Sequence, residues 1–177
     1  MADPLEISLE DDMTRIKIDG RLARKWLVAA ALVLLATLAG QVSSARAAEV
    51  NTGYFGNVAI MGYDTVAYFK MNDAVKGSED LAFDWLGATW QFANAEHRQS
   101  FMANPIKYAP QYGGLCSVGV AYGEVTRDID PEAWSIIDGK LYLNYSKAAN
   151  TVLAEDGPNL IAKADANWPD VKARLAQ

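Results

Sequence analysis

Cys116 and His97 are the sole cysteine and the sole histidine of the 177-residue chain. A thiolate and an imidazole are soft and borderline ligands, and a converging pair suits Cu(I), or a Zn(II) or Cu(II) site completed by water or a carboxylate. Met61, Asp64 and Met102 could extend such a set, although each also fits a plainer place in the core or in a turn. A thiolate beside a histidine base is also a nucleophile. No Lys or Arg adjoins Cys116 in sequence to stabilise a thiolate, and neither an oxyanion-hole signature nor a third orienting group is recognisable. A non-catalytic role is therefore expected over a thiol-dependent enzyme.

Each of these residues also has a plain structural role open to it. Free cysteine commonly packs as a small buried hydrophobe. His97 precedes Phe101 by one helical turn, which points that face inward and lets the imidazole bond a loop carbonyl. Asp64 follows Gly62-Tyr63, where a carboxylate accepts backbone N–H groups of its own turn. Tyr108, Tyr112 and Tyr122 flank the cysteine and either line a small-ligand pocket by stacking or pack the core.

The compartment sharpens the question of the lone thiol. Arg21, Arg24 and Lys25 precede the apolar run Trp26–Ala39, and the small-residue stretch "SSARAA" follows. This is the order of a signal peptide, and the 14-residue run falls short of the roughly 20 that span a membrane. Ala45 and Ala47 form an A-x-A site, so cleavage is expected between Ala47 and Ala48, leaving a periplasmic or secreted domain over 48–177. The acidic stretch "MADPLEISLEDD" is long for the start of such a peptide, so Met13 is an alternative start. Arg24-Lys25 is a poor twin-arginine signal, which favours ordinary secretion. One cysteine permits no intramolecular disulfide where disulfides persist.

About 130 residues suffice for one core. The mature part carries 10 Lys+Arg against 16 Asp+Glu, which argues against nucleic acid or an anionic membrane as partner. Its eight Tyr, five Phe and four Trp supply the buried area. "VAIMGYDTVAYF" (58–69) reads as two extended runs around a turn at Gly62-Tyr63-Asp64. "LAFDWLGATWQFA" (81–93) reads as a hairpin with Ala88, Trp90 and Phe92 on one face. Asn94 caps a helix over "AEHRQSFMA", which Asn104-Pro105 stops, and Pro105 opens a short helical turn through Tyr108. From Leu115 the alternation predicts a strand, with Cys116, Val118 and Val120 facing inward. "AWSIIDGKLYLNY" (133–145) is a second hairpin around Asp138-Gly139. Residues 147–177 read as helices broken at Gly157-Pro158 and Trp168-Pro169. No internal repeat is legible, and the class is α+β with a small antiparallel sheet and short helices.

"GYDTVAYF", "WQFANAEHRQSFMANPIKYAPQYGG" and "AWSIIDGKLYLNY…NLIAKADANWP" closely resemble the exported single-domain bacterial members of the YHS-domain family. The resemblance implies a fold related to treble-clef heavy-metal modules and an association with copper, zinc and similar ions. On the family's D-P-V-C turn fall Asp64, Thr65, Val66 and Ala67. On its F-C-S-x-x-C helix start fall Phe92, Ala93, Asn94, Ala95, Glu96 and His97, so two thiol positions hold alanine and one holds histidine. A closed tetrahedral thiolate site needs four Cys or His ligands and cannot be built from this chain. The expectation is a transition-metal ion, copper or zinc, on Cys116 and His97, with a metal-free ligand- or protein-binding module as the alternative.

Overall fold

The structure is a computed structural model that describes residues 49–175; the expected signal peptide and the expected cleavage after Ala47 lie outside them. Asp64 accepts the N–H groups of Val66 and Ala67 at 2.9 and 3.3 Å and so opens helix α1 (Thr65–Lys70). The second arm of the 58–69 stretch is therefore helical. A capping aspartate outweighs the strand preference of Thr65 and Val66. Strands β1 (Ser78–Trp85) and β2 (Ala88–Phe92) form the first hairpin. Asn94 caps α2 (Ala95–Ala103), and Asn104 caps the single turn α3 (Pro105–Tyr108).

Beyond Gly113-Gly114 the strand expected from Leu115 is instead helix α4 (Ser117–Ala121), with Cys116 at its N-cap. Cys116 does face inward, but Leu115 and Ser117 on either side are buried as well. The two-residue alternation fails because this backbone turns into a helix covered by later elements. Strands β3 (Asp130–Ile137) and β4 (Lys140–Asn144) form the second hairpin, followed by α5 (Lys147–Glu155) and α6 (Gly157–Leu175).

Helix α6 runs through Pro169, where a break was expected. Proline inside a helix costs about 3 kcal/mol, and tertiary packing offsets it. Ala164, Val171 and Leu175 are buried, and the Asn167 amide donates to the carbonyls of Val120 and Ala121 at 3.3 and 3.0 Å. The class is α+β as expected, with two separate two-stranded antiparallel sheets. Among the described residues no helix is long and apolar enough to cross a membrane.

The backbone repeats itself with a constant offset of 52 positions, a symmetry that the sequence does not display. Two left-handed turns, Ile60-Met61-Gly62 (φ 49°, 54°, 76°) and Tyr112-Gly113-Gly114 (54°, 63°, 82°), each precede a cap residue and a short helix. Hairpins with strands of eight and five residues follow, each with a register shift at the same place, before Ala82 and before Trp134. Each hairpin leads to a capped nine-residue helix.

Individual hydrogen bonds obey the same offset. Tyr63 N–H donates to Ile60 O at 3.0 Å, as Leu115 N–H does to Tyr112 O at 3.1 Å. The Asn94 and Ser146 side chains accept from the N–H groups of His97 and Ala149 at 2.8 and 3.2 Å. Arg98 Nε donates to Ala82 O at 2.8 Å, and Asn150 Nδ2 to Trp134 O at 2.9 Å. Between 59–104 and 111–156 only Gly62, Val66 and Gly87 recur as identical residues, at Gly114, Val118 and Gly139. The repeat lives in backbone geometry and capping chemistry. One apolar cluster gathers Trp90, Phe92 and Phe101 of the first repeat; another gathers Leu115, Val120 and Leu153 of the second with α6.

Candidate functional site

His97 projects from the first turn of α2 and is buried, as is Phe101 one turn on. Its Nδ1 lies 2.6 Å from Asp64 Oδ2, and the Asp64 side chain is fully buried. The same carboxylate oxygen accepts Ala93 N–H at 2.9 Å, while Oδ1 takes the two N–H groups that start α1. Asp64 therefore ties α1, the end of β2 and α2 together. His97 bonds this carboxylate where a loop carbonyl was expected. With Nδ1 held by the carboxylate, Nε2 is the other end of the ring.

Cys116 occupies the corresponding position of the second repeat. Its Sγ accepts Gly119 N–H at 3.4 Å and lies 3.8 Å from Asn144 Oδ1, with the residue fully buried. Asn144 accepts Val118 N–H at 3.3 Å and donates to Asn150 Oδ1 at 3.1 Å, so the thiol belongs to a buried amide network. No hydrogen bond of Cys116 reaches His97 or Asp64. Met61 and Met102 are about half exposed. Among the described residues no group of three or more His, Cys, Asp and Glu side chains is placed to hold a metal ion.

Of Tyr108, Tyr112 and Tyr122, which the sequence offers as the lining of a small-ligand pocket, Tyr112 lines a cleft. Tyr108 is core, and Tyr122 is exposed. The cleft that Tyr112 lines has a volume of about 190 Å³. Trp85, Leu86 and Trp90 of the first hairpin form one wall, and Trp168 and Lys172 of α6 form another. Trp85 and Trp90 rings lie 5.7 Å apart, and Tyr112 meets Trp168 edge-on at 5.8 Å. Glu49 Oε1 pairs with Lys172 Nζ at 2.8 Å at the edge, and Ile106 is 79% exposed beside the opening.

A second cleft of about 270 Å³ occupies the same place in the second repeat. Trp85, Leu86 and Trp90 correspond to Ile137, Asp138 and Tyr142. Ile106, Ala109, Pro110 and Gly113 correspond to Pro158, Ile161, Ala162 and Asp165. The two hairpins thus edge an aromatic cleft and a polar one that holds Asp138, Lys140 and Asp165, while the opposite walls differ, Gly113 lying in a left-handed turn and Asp165 inside α6. Burial, followed by the charges of Asp165 and Asp138, raises the Tyr142 hydroxyl above the usual tyrosine range. Tyr112 connects the two, because its ring faces the aromatic cleft while its hydroxyl donates to Asp165 at 2.9 Å. Burial and that hydrogen bond hold the Tyr112 hydroxyl well above the usual range.

The tryptophans, Leu86 and Lys172 were invisible as a group in the sequence because they come from distant elements. Comparison with family models, characterised proteins and solved structures gives no match.

Proposed function

We propose that the chain is an exported, non-catalytic binding module that takes a small ligand in the aromatic cleft. The observation that carries this reading is the convergence of the half-buried Trp85 and Trp168 on one open volume backed by the buried rings of Trp90 and Tyr112. Aromatic faces supply large apolar contact and stacking, and an apolar cleft edged by a few polar groups is the usual form of a ligand site. The capping role of Cys116 and the saturated Asp64 carboxylate support a structural use of the other candidates. Ring-ligand titration followed by tryptophan fluorescence tests the proposal, with Leu86→Asp expected to abolish the response. A response that survives Leu86→Asp would place the ligand elsewhere.

A second reading, copper or zinc binding, has one observation in its favour. A carboxylate on Nδ1 orients the histidine and leaves Nε2 to a ligand, an arrangement common around metal-bound histidines. On this reading His97 is the protein ligand and Cys116 holds its helix. Uptake of copper or zinc by the purified chain, lost in His97→Ala and kept in Cys116→Ser, is the expected result. Loss in both variants would restore the Cys116 and His97 pair. Membership of the exported YHS-domain proteins accompanies either reading, and intact mass of the exported product, expected to begin at Ala48, tests the export.

A further inference from the structure

We propose that the aromatic cleft binds a single-ring aromatic carboxylate, with the ring among Trp85, Trp90, Tyr112 and Trp168 and the carboxylate on the Lys172 ammonium. This rests on the ligand-binding reading and adds the charge and size of the ligand.

The repeat supplies the first argument, because the second cleft shows what the corresponding hairpin edges when its lining is polar. Asp138 and Asp165 stand there at the positions of Leu86 and Gly113. In the aromatic cleft both of these carboxylates are gone. The Lys172 cation is contributed by α6. An anion entering the second cleft meets two carboxylates and the Lys140 ammonium; in the aromatic cleft it meets one ammonium, Lys172, and one carboxylate, Glu49, beside apolar walls.

The second argument is a stand-in within the chain. Glu49 already seats a carboxylate on Lys172 at 2.8 Å, at the edge of the aromatic volume. Both side chains are partly exposed, and ion pairs of this kind are weak and exchange readily. A ligand carboxylate tethered to a ring buried alongside it displaces Glu49 or shares the ammonium with it. Size gives the third argument, since a cavity of about 150 Å³ is known to take up benzene and this cleft offers about 190 Å³.

The test uses the full chain and three probes of one shape: benzoate, benzyl alcohol and benzylamine at neutral pH. Three of the four tryptophans among the described residues line the cleft, so fluorescence titration reads it directly, and heat denaturation verifies that each variant is folded. Benzoate should bind up to about fivefold more tightly than benzyl alcohol, the margin of an exposed ion pair, with benzylamine weakest. Lys172→Met should bring benzoate to the level of benzyl alcohol and leave benzyl alcohol unchanged. Lys172→Arg should restore the preference, and Glu49→Gln should tighten benzoate by removing its competitor. Rings that bind without this order of charge, or benzoate affinity indifferent to Lys172→Met, would overturn the ligand class and leave the ligand-binding reading standing. No ring binding at all, or binding indifferent to Leu86→Asp, would overturn both.

Discussion

The two repeats solve one problem, how to start a short helix after a left-handed turn, with different chemistry. In the first, the Asp64 carboxylate accepts from Val66 N–H, Ala67 N–H, Ala93 N–H and the His97 ring. In the second, the Cys116 sulfur accepts one N–H and rests against an amide. A carboxylate has about four acceptor sites and can fasten several elements at once; a thiol is a weak acceptor suited to a position that needs one soft contact in a tight place. The difference gives a single buried cysteine a use without a disulfide partner. Position 116 needs a small residue that is apolar enough to bury and still able to accept from Gly119.

The largest effect expected from this contrast is the difference between two alanine substitutions. Asp64→Ala strands Val66 N–H, Ala93 N–H and the His97 ring, while Ala67 N–H keeps the backbone carbonyl of residue 64 at 3.1 Å, and should cost about 3–5 kcal/mol. Cys116→Ala loses a weak cap and a little buried volume, about 1–2 kcal/mol. Cys116→Ser keeps an acceptor and should cost about 1 kcal/mol. Urea unfolding followed by circular dichroism ranks the three. Equal costs for Asp64→Ala and Cys116→Ala would break the comparison, because the thiol would then fasten as much structure as the carboxylate.

Much of the fold was legible, and the failures share one cause. Both hairpins, the Asn94 cap and the stop at Asn104-Pro105 follow from local chemistry, namely alternation around a two-residue turn and side-chain capping. The helices after Asp64 and Cys116 did not, because Thr65-Val66 and Ser117-Val118 prefer strands in isolation and only the preceding turn commits them. Pro169 misleads for a similar reason: its helix is held by Asn167, Trp168 and Val171 against partners remote in sequence. Of the candidate site, Cys116, His97 and Tyr112 were named from the sequence. The link from His97 to Asp64, and the union of two hairpin tryptophans with Trp168, depend on packing that no local pattern encodes.

A second effect concerns the amide network, which has no counterpart in the first repeat because Phe92 stands where the second has Asn144. Asn144→Ala leaves Val118 N–H without its acceptor, while Asn150 Oδ1 keeps the Ser135 hydroxyl at 2.9 Å, and should cost about 1–3 kcal/mol. It should also loosen the thiol's surroundings. Labelling of Cys116 by a thiol reagent is expected to be slow in the native protein and faster in Asn144→Ala. Fast native labelling would show that the sulfur is reached without unfolding, contrary to its burial.

The tyrosines give a third, smaller contrast that reads out with pH. Burial is the main cause that raises the hydroxyls of Tyr68 in the first repeat and of Tyr112 and Tyr142 in the second. For an acid whose folded pKa is raised, the neutral form is kept by the fold while the unfolded chain ionises near 10. The corresponding stability is complete below about pH 10 and is lost as pH climbs from there toward the folded values. Ultraviolet titration should therefore show a group of tyrosines that ionises only as the protein unfolds. Tyr112→Phe and Tyr142→Phe should each flatten the alkaline loss. An alkaline slope unchanged in both would place the sensitivity in the first repeat, at Tyr68.

The smallest effect expected lies at the surface of the first repeat, where Lys70 joins α1 to α2 through Glu96 at 2.6 Å and Ser100 at 3.0 Å. The second repeat has Tyr122 and Ala148 at the places of Lys70 and Glu96, and stands without such a pair. The hydrogen bond with Lys70 is the first cause that lowers the Glu96 carboxyl, and the same bond raises Lys70. A lowered carboxyl contributes stability above its unfolded value near 4.3 that disappears as pH falls through the folded value. Exposed pairs are screened by salt, so Lys70→Met should lower the urea midpoint slightly at low ionic strength and leave it unchanged at high ionic strength. A loss that persists in high salt would mean that the lysine stem packs between α1 and α2 and does for the first repeat what α6 does for the second.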